Sequence, residues 1–256
     1  MTRVERGDGW ELRLGKWQDV LADVECDALI SDPPYLTANA GGGGMASAKT
    51  NRQHSGGGQA RNTGCLIRYA PATTQLLSGI ASMNSRGFRV VFNDFEGVAL
   101  IRESMKCAGL TVSEPVTWVK NHGAPFGGFL NVAKRCEWLA IGHHKPGGHE
   151  RRPGVYKVSY CTGDLMLAGG KPLPLMRAII RDYSRPDDLV CDPCAGGGTT
   201  LLAAVTEGRR AIGAECDPDT FELAVKRLRA GHTRSLFTAH EREPEPETGD
   251  LFGGAA

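Results

Sequence analysis

Leu189-Val-Cys-Asp192-Pro-Cys-Ala-Gly-Gly-Gly-Thr-Thr200 decides the fold. A short apolar run ends on a carboxylate, and a proline stops it from continuing as a strand. A glycine-rich turn follows, and then a helix that opens with two threonines. Glycines let a ligand come close to the backbone, and a helix N-terminus offers unpaired N–H groups and the positive end of its dipole. Such a turn suits the anionic arm of a ligand, whether phosphate or carboxylate. The next apolar run, Arg210–Ala214, stops at Glu215, 23 positions after Asp192. In a nucleoside-binding βαβ unit an acid at that distance holds ribose hydroxyls. Two acids at successive strand ends around a glycine turn describe a site for an adenosyl group with a charged arm.

The rest of the chain repeats the alternation. Glu11–Leu14, Asp27–Ile30, Phe88–Phe92, Leu110–Val119 and Arg135–Ile141 read as strands, and Thr199–Glu207 and Pro218–Arg229 as helices. Phe221, Val225 and Leu228 share one face of the last helix, which has proline in its first turn. The expected fold is α/β, a doubly wound, mainly parallel sheet. One catalytic domain is expected over residues 1–240, interrupted by two long stretches with basic residues, 36–69 and 143–170. Residues 36–69 are glycine-rich and carry Lys49, Arg52, Arg61 and Arg68 with no acid; residues 134–157 hold six basic residues against two acidic ones. Residues 241–256 form an acidic tail, read as disordered.

With 256 residues, 41% apolar and 23% charged, the composition is that of a globular domain rather than a disordered chain. Apart from the acidic tail, the remaining chain is mildly basic, which fits a polyanionic partner. No apolar run is long enough to span a membrane, and the first residues lack the apolar core of a secretion signal. The eight cysteines are scattered, so they read as reduced thiols in a cytoplasmic protein. Cys191 and Cys194 have metal-ligand spacing but no second pair to complete a zinc site. His143, His144 and His149 lie among Arg and Lys, which points to nucleic acid rather than metal. Gly43 to Thr50 approaches a P-loop, but Ala48 stands where its second glycine belongs.

Asp32-Pro33-Pro34-Tyr35 also follows a strand. The prolines fix the backbone, so that the Asp32 carboxylate and the Pro33 carbonyl form two rigid acceptors beside an aromatic ring. That set matches an exocyclic amino group on a flat heterocycle: two acceptors for its two N–H bonds, and Tyr35 to stack on the ring.

With both motifs present, the chain resembles the amino-methylating DNA methyltransferases that use S-adenosyl-L-methionine, in the permuted group whose Asp-Pro-Pro-Tyr motif precedes the cofactor motif. The likeness runs over roughly residues 8–230. It implies a Rossmann-like methyltransferase fold with an inserted target-recognition segment at residues 143–170. It implies catalytic roles for Asp32, Pro33, Pro34 and Tyr35. The cofactor would be held by Asp192, Cys194, Ala195, Gly196, Gly198, Thr199, Thr200 and Glu215, with Lys171 at the methionine arm. Phe88–Asp94 and Glu137 resemble elements lining the target-base pocket. Cys194 departs from the family's usual Phe. Gly15-Lys16-Trp17 departs from its usual Gly-Asp, and Trp17 is expected to stack on the cofactor adenine in place of that acid.

The resemblance therefore implies transfer of a methyl group to N6 of an adenine flipped out of double-stranded DNA, with no metal. A homodimer is a further implication; the sequence leaves open whether a restriction enzyme accompanies the chain, as in restriction-modification systems. Cytosine-N4 methylation is the nearest alternative, although Ser is the family's tendency where Asp32 stands. A non-catalytic DNA-binding regulator with the same fold would damage one of the two motifs, and both are intact.

Overall fold

The computed structural model describes residues 3–36, 72–120, 136–144, 152–158 and 170–235. A hairpin of β1 (Val4–Gly7) and β2 (Trp10–Leu14) leads through the short helix α1 (Trp17–Val20) to β3 (Ala28–Ser31). Then come α2 (Thr74–Ser82), β4 (Phe88–Asn93), α3 (Phe95–Cys107), β5 (Thr111–Val112), β6 (Val116–Val119), β7 (Cys136–His143) and β8 (Val155–Lys157). The last part alternates regularly: α4 (Leu173–Tyr183), β9 (Leu189–Asp192), α5 (Thr199–Thr206), β10 (Arg210–Glu215) and α6 (Pro218–Ser235).

The sheet runs β1-β2-β10-β9-β3-β4-β7-β6-β8, with β5 paired to β7. Strands β2, β10, β9, β3 and β4 are mutually parallel, while β7 is antiparallel to both β4 and β6. Alternate strand residues feed opposite faces, as the pleat requires. Ile30, Val90, Phe92 and Val190 join α4, α5 and α6 in one apolar cluster. Leu29, Val91, Cys191 and Ile212 join the helices of the other face, α2 and α3. A wholly buried side chain such as Phe221 contributes about 1.5–3 kcal/mol relative to exposure. The doubly wound, mainly parallel expectation is borne out.

The order of strands positions the functional residues. Chain order separates β3 from β9 by more than 150 residues, yet the two are neighbours, with Ala28 opposite Val190 and Leu29 opposite Cys191. Here the strand order reverses, and the C-terminal strand ends open the crevice where open α/β sheets bind ligands. Because β7 runs backward, its first residues lie at this same edge, with Trp138 opposite Asn93, the last residue of β4.

Three local expectations are corrected. The single strand read over Leu110–Val119 is two strands, because Pro115 has no N–H to offer the ladder. The basic segment 143–170 is not all loop. His143 closes β7, and Val155–Lys157 forms β8, an edge strand parallel to β6. Within that segment, Arg152 is engaged by the protein itself: its guanidinium lies 4.4 Å from the centre of the Phe88 ring and donates to the Asp182 carbonyl at 2.6 Å. Residues 37–71, which include nearly all of the glycine-rich basic stretch, and the tail lie outside the described residues. No helix among the described residues is long and apolar enough to cross a membrane.

Candidate active site

Two carboxylate clusters stand side by side at the C-terminal edge of the sheet. The first is built on β9 and β10. Asp192, 1% exposed, ends β9 and accepts from the Ser31 hydroxyl at 2.7 Å and the Cys194 N–H at 3.0 Å. Gly196 and Gly198 have φ of +51° and +74°. These angles turn the chain from β9 into α5, and only glycine adopts them without strain. Thr199 and Thr200 open α5 and are buried. Glu215, at the end of β10, accepts from the Gly196 N–H at 2.9 Å and the Asp217 N–H at 2.8 Å. It thus ties the glycine turn to the next strand. Burial pushes the Asp192 carboxyl up to about 6, despite hydrogen bonds from Thr200, Ser31 and Cys194. Burial likewise raises Glu215 against its backbone donors. Ala195 is buried beneath the turn, and burial together with the neighbouring Asp192 and Glu215 holds the Cys194 thiol well above its ordinary value, hence neutral.

The second cluster lies on β3 and β7. Asp32 follows Ser31 directly, and Pro33-Pro34 end the strand there. Its Oδ2 is paired with the Lys171 ammonium; its Oδ1 is buried and has no hydrogen-bond partner among the described residues. Glu137, 7% exposed, takes Lys120 on Oε1 and the Tyr35 hydroxyl on Oε2, and Lys171 stands 3.3 Å from that second oxygen. The Lys171 ammonium also lies 5.2 Å from the centre of the Tyr35 ring and 5.1 Å from that of Phe92. Burial raises the Asp32 carboxyl, partly offset by Lys171, while the charge of Glu137 adds to the rise. Glu137 itself is penalised by burial, but Lys171 and Lys120 overcome this and bring it down to about 2. Asn93 fastens β4 to the Pro-Pro loop, accepting from the Leu36 N–H at 3.2 Å. Gly97 makes room for it, since a Cβ there would sit 1.8 Å from the Asn93 Oδ1.

Ser31 joins the clusters, so the structure brings Asp32 and Asp192 to one crevice. Lys171, expected on the methionine arm, stands between Asp32 and Glu137. Trp17 begins α1 just past Gly15, whose N–H bonds the Glu215 carbonyl at 2.8 Å, so it lies near the end of β10. Its ring packs against α2 at Gly79, and its buried Nε1 lacks an acceptor among the described residues. Sequence reading missed Ser31, which looks like any strand residue, and Lys120, whose place follows only from the β6–β7 pairing.

Parallel strands ordered around β9 and β3, with a glycine turn and paired carboxylates at their ends, define a Rossmann-like methyltransferase fold. A family model described as DNA methylase matches residues 162–226. Type II methyltransferase M2.LlaDCHI of Lactococcus lactis subsp. cremoris is 35% identical over 244 residues, covering 82% of this chain and 84% of that protein. On this evidence the chain belongs to the amino-DNA methyltransferase family. Type II methyltransferase M.HinfI of Haemophilus influenzae is 28% identical over 170 residues, 57% of this chain; the match spans about half of that relative, 47% of its length. Among solved structures, the M1.HpyAVI–SAM complex superimposes with a TM-score of 0.61 at 20% identity, covering 85% of this chain and 99% of that one. PvuII DNA methyltransferase, described as cytosine-N4-specific, gives 0.60 at 14% identity, covering 90% and 93%.

Proposed function

We propose that this chain methylates DNA, transferring the methyl group of S-adenosyl-L-methionine to N6 of an adenine flipped from the duplex, and that it is of the permuted type. The buried, unpartnered Oδ1 of Asp32, next to the Asp192 glycine turn, carries this reading. An acceptor left without a donor in a buried site costs free energy unless a ligand supplies one, and an exocyclic amino group does so.

The cofactor side fits its proposed ligand. Two buried carboxylates, each raised by burial, suit a molecule that brings hydroxyl donors and a positive sulfonium. Glu215 would take the ribose hydroxyls, and the turn from Asp192 through Thr200, with Lys171 and Trp17 nearby, would enclose the remainder. When bound, S-adenosyl-L-methionine supplies a methyl group activated by its sulfonium. The residues of the chain do the rest. Asp32 and the Pro33 carbonyl accept the two N–H bonds, which favours a pyramidal nitrogen and stabilises the positive charge that grows on it. This interaction is stronger in the transition state than before it, and so it accelerates transfer. As the new N–C bond forms, nitrogen sheds one proton, and Asp32, raised by burial, is the adjacent acceptor. Tyr35 stacks on the extruded base.

Double-stranded DNA is the proposed partner, with phosphates met by the basic stretches; a cytoplasmic site of action and a homodimer complete the reading. Light scattering that finds only 27.4 kDa particles with and without DNA would remove the dimer. A second target, cytosine N4, has support in the likeness to the PvuII enzyme. Nucleoside analysis of DNA incubated with the pure protein and S-adenosyl-L-methionine decides among the readings. N6-methyladenine is expected; N4-methylcytosine would move the target, and no product would favour a binding protein.

A further inference from the structure

Glu137 touches neither the glycine turn nor the unpartnered oxygen of Asp32, yet it engages most of what surrounds Asp32. Its two oxygens hold Lys120, the Tyr35 hydroxyl and, at 3.3 Å, Lys171. Lys171, 5% exposed, occupies Asp32 Oδ2 and lies against the Tyr35 ring. These are the same two groups that the proposed reaction assigns to the target base. The ammonium of Lys171 therefore occupies one oxygen of Asp32, Oδ2, while the other, Oδ1, is the one that the proposed reaction offers to the amino group of the base.

We infer that Glu137 is a positioning residue for methyl transfer: it shares Lys171 with Asp32 and holds the Tyr35 hydroxyl, and so sets both the Asp32 carboxylate and the Tyr35 ring for the base. This inference rests on the role proposed above for Asp32. Lys171 bridges the two carboxylates, 3.3 Å from Glu137, so that Asp32 has only a share of its charge and stays a strong acceptor on Oδ1. Lys120 keeps Glu137 ionised for that task, and the Tyr35 hydroxyl bond fixes the ring at the angle from which it stacks. Among the described residues, the charged and titratable groups facing Asp32 are Lys171 ahead of α4, Glu137 on β7, Tyr35 on its own loop, Asp192 on β9 and Cys194 on the glycine turn, with Lys120 behind Glu137.

Replacing Glu137 by Gln keeps its shape and removes its charge. Lys171 then loses an anionic partner and is drawn more fully to Asp32, which weakens that carboxylate as an acceptor for the amino group. The full-length E137Q protein is expected to bind S-adenosyl-L-methionine as the wild type does, while its single-turnover methylation rate falls about tenfold. The acid limb of its pH–rate profile should move to lower pH, because Asp32 loses a like charge and keeps an opposite one. Carbon-13 NMR titration of the carboxyl groups reads the same coupling without any turnover: Asp32 should titrate lower in E137Q than in the wild type. An unmoved Asp32 titration, or a wild-type rate and acid limb, overturns the inference. A wild type that yields no methylated nucleoside defeats the functional reading, while the titration still decides whether Glu137 and Asp32 are coupled. Should E137Q fail to fold, Tyr35→Phe removes only the hydroxyl on Glu137. A several-fold slower single turnover is expected from it, and an unchanged rate counts against the positioning role.

Discussion

The two clusters at the sheet edge are built on the same plan and behave in opposite ways. Each consists of two carboxylates at strand ends facing the crevice. Asp192 and Glu215 receive their hydrogen bonds from hydroxyls and backbone N–H groups, and burial raises both. Glu137 receives two ammoniums and is lowered to about 2. Asp32 falls between, raised by burial and by Glu137 but restrained by Lys171. At Asp192 and Glu215 the hydrogen bonds from neutral dipoles lower the carboxyl less than burial raises it, whereas at Glu137 the two ammoniums outweigh burial. The first cluster thus keeps carboxylates that burial raises, and the second is balanced by its own lysines.

The sharpest way to break the comparison is Asp32→Ala. Single-turnover methylation should drop by about 100- to 1,000-fold or more, as when a group that stabilises transition-state charge is removed. Cofactor affinity measured by calorimetry should barely change, and DNA binding should persist. A variant that keeps wild-type single turnover would remove the second cluster from catalysis. Glu215→Ala should do the reverse, weakening cofactor binding by about 10- to 100-fold through loss of a charged acceptor worth ~1.5–3 kcal/mol. Calorimetric titration with no loss of affinity would take Glu215 out of the site.

The clusters should also differ in how stability follows pH. Asp192 is raised, so its favourable protonated state is fully present below about pH 4 and is lost as pH rises through about 6. Asp192→Asn should therefore be the more stable protein at pH 7.5, by roughly 2 kcal/mol or ~4–8 °C in Tm, with the gap closing towards pH 4. Glu137 is lowered, so its contribution is present above about pH 4.5 and is lost only as pH falls through about 2. Glu137→Gln should accordingly be the less stable protein at neutral pH. Thermal melts across pH 4–8 that shift both variants in the same direction would erase the distinction. The smallest effect belongs to the link between the clusters. Ser31→Ala should cost about 1 kcal/mol at pH 7.5 in urea unfolding, and less at pH 4.5, where Asp192 is protonated.

Much of this was legible in the chain itself. Apolar runs stopped by Asp-Pro or Glu give strands whose ends carry acids, and after Asp32 and Asp192 the proline cannot continue the ladder. The glycines of Asp192–Thr200 announce a turn that needs positive φ, and Gly196 and Gly198 have it. The spacing from Asp192 to Glu215 is one helix and one strand, and this short-range geometry survives folding unchanged. The split of Leu110–Val119 at Pro115 follows from the same rule about proline, although the apolar residues on either side hid it.

What the sequence could not carry is which strand ends meet, and therefore which charges pair. The adjacency of β3 and β9 puts the Ser31 hydroxyl 2.7 Å from a carboxylate 161 positions away. The reversed direction of β7 brings Glu137 and Lys120 to the same edge, and Lys171 arrives there from the start of α4. Arg152, within the basic stretch 134–157, stacks on Phe88, a partner 64 positions away. Local propensities fix where each element begins and ends, since they act over a few bonds. Pairing between strands, and the ionisation state that burial and opposite charge impose on Asp192 and Glu137, arise only once distant segments share one low-dielectric crevice.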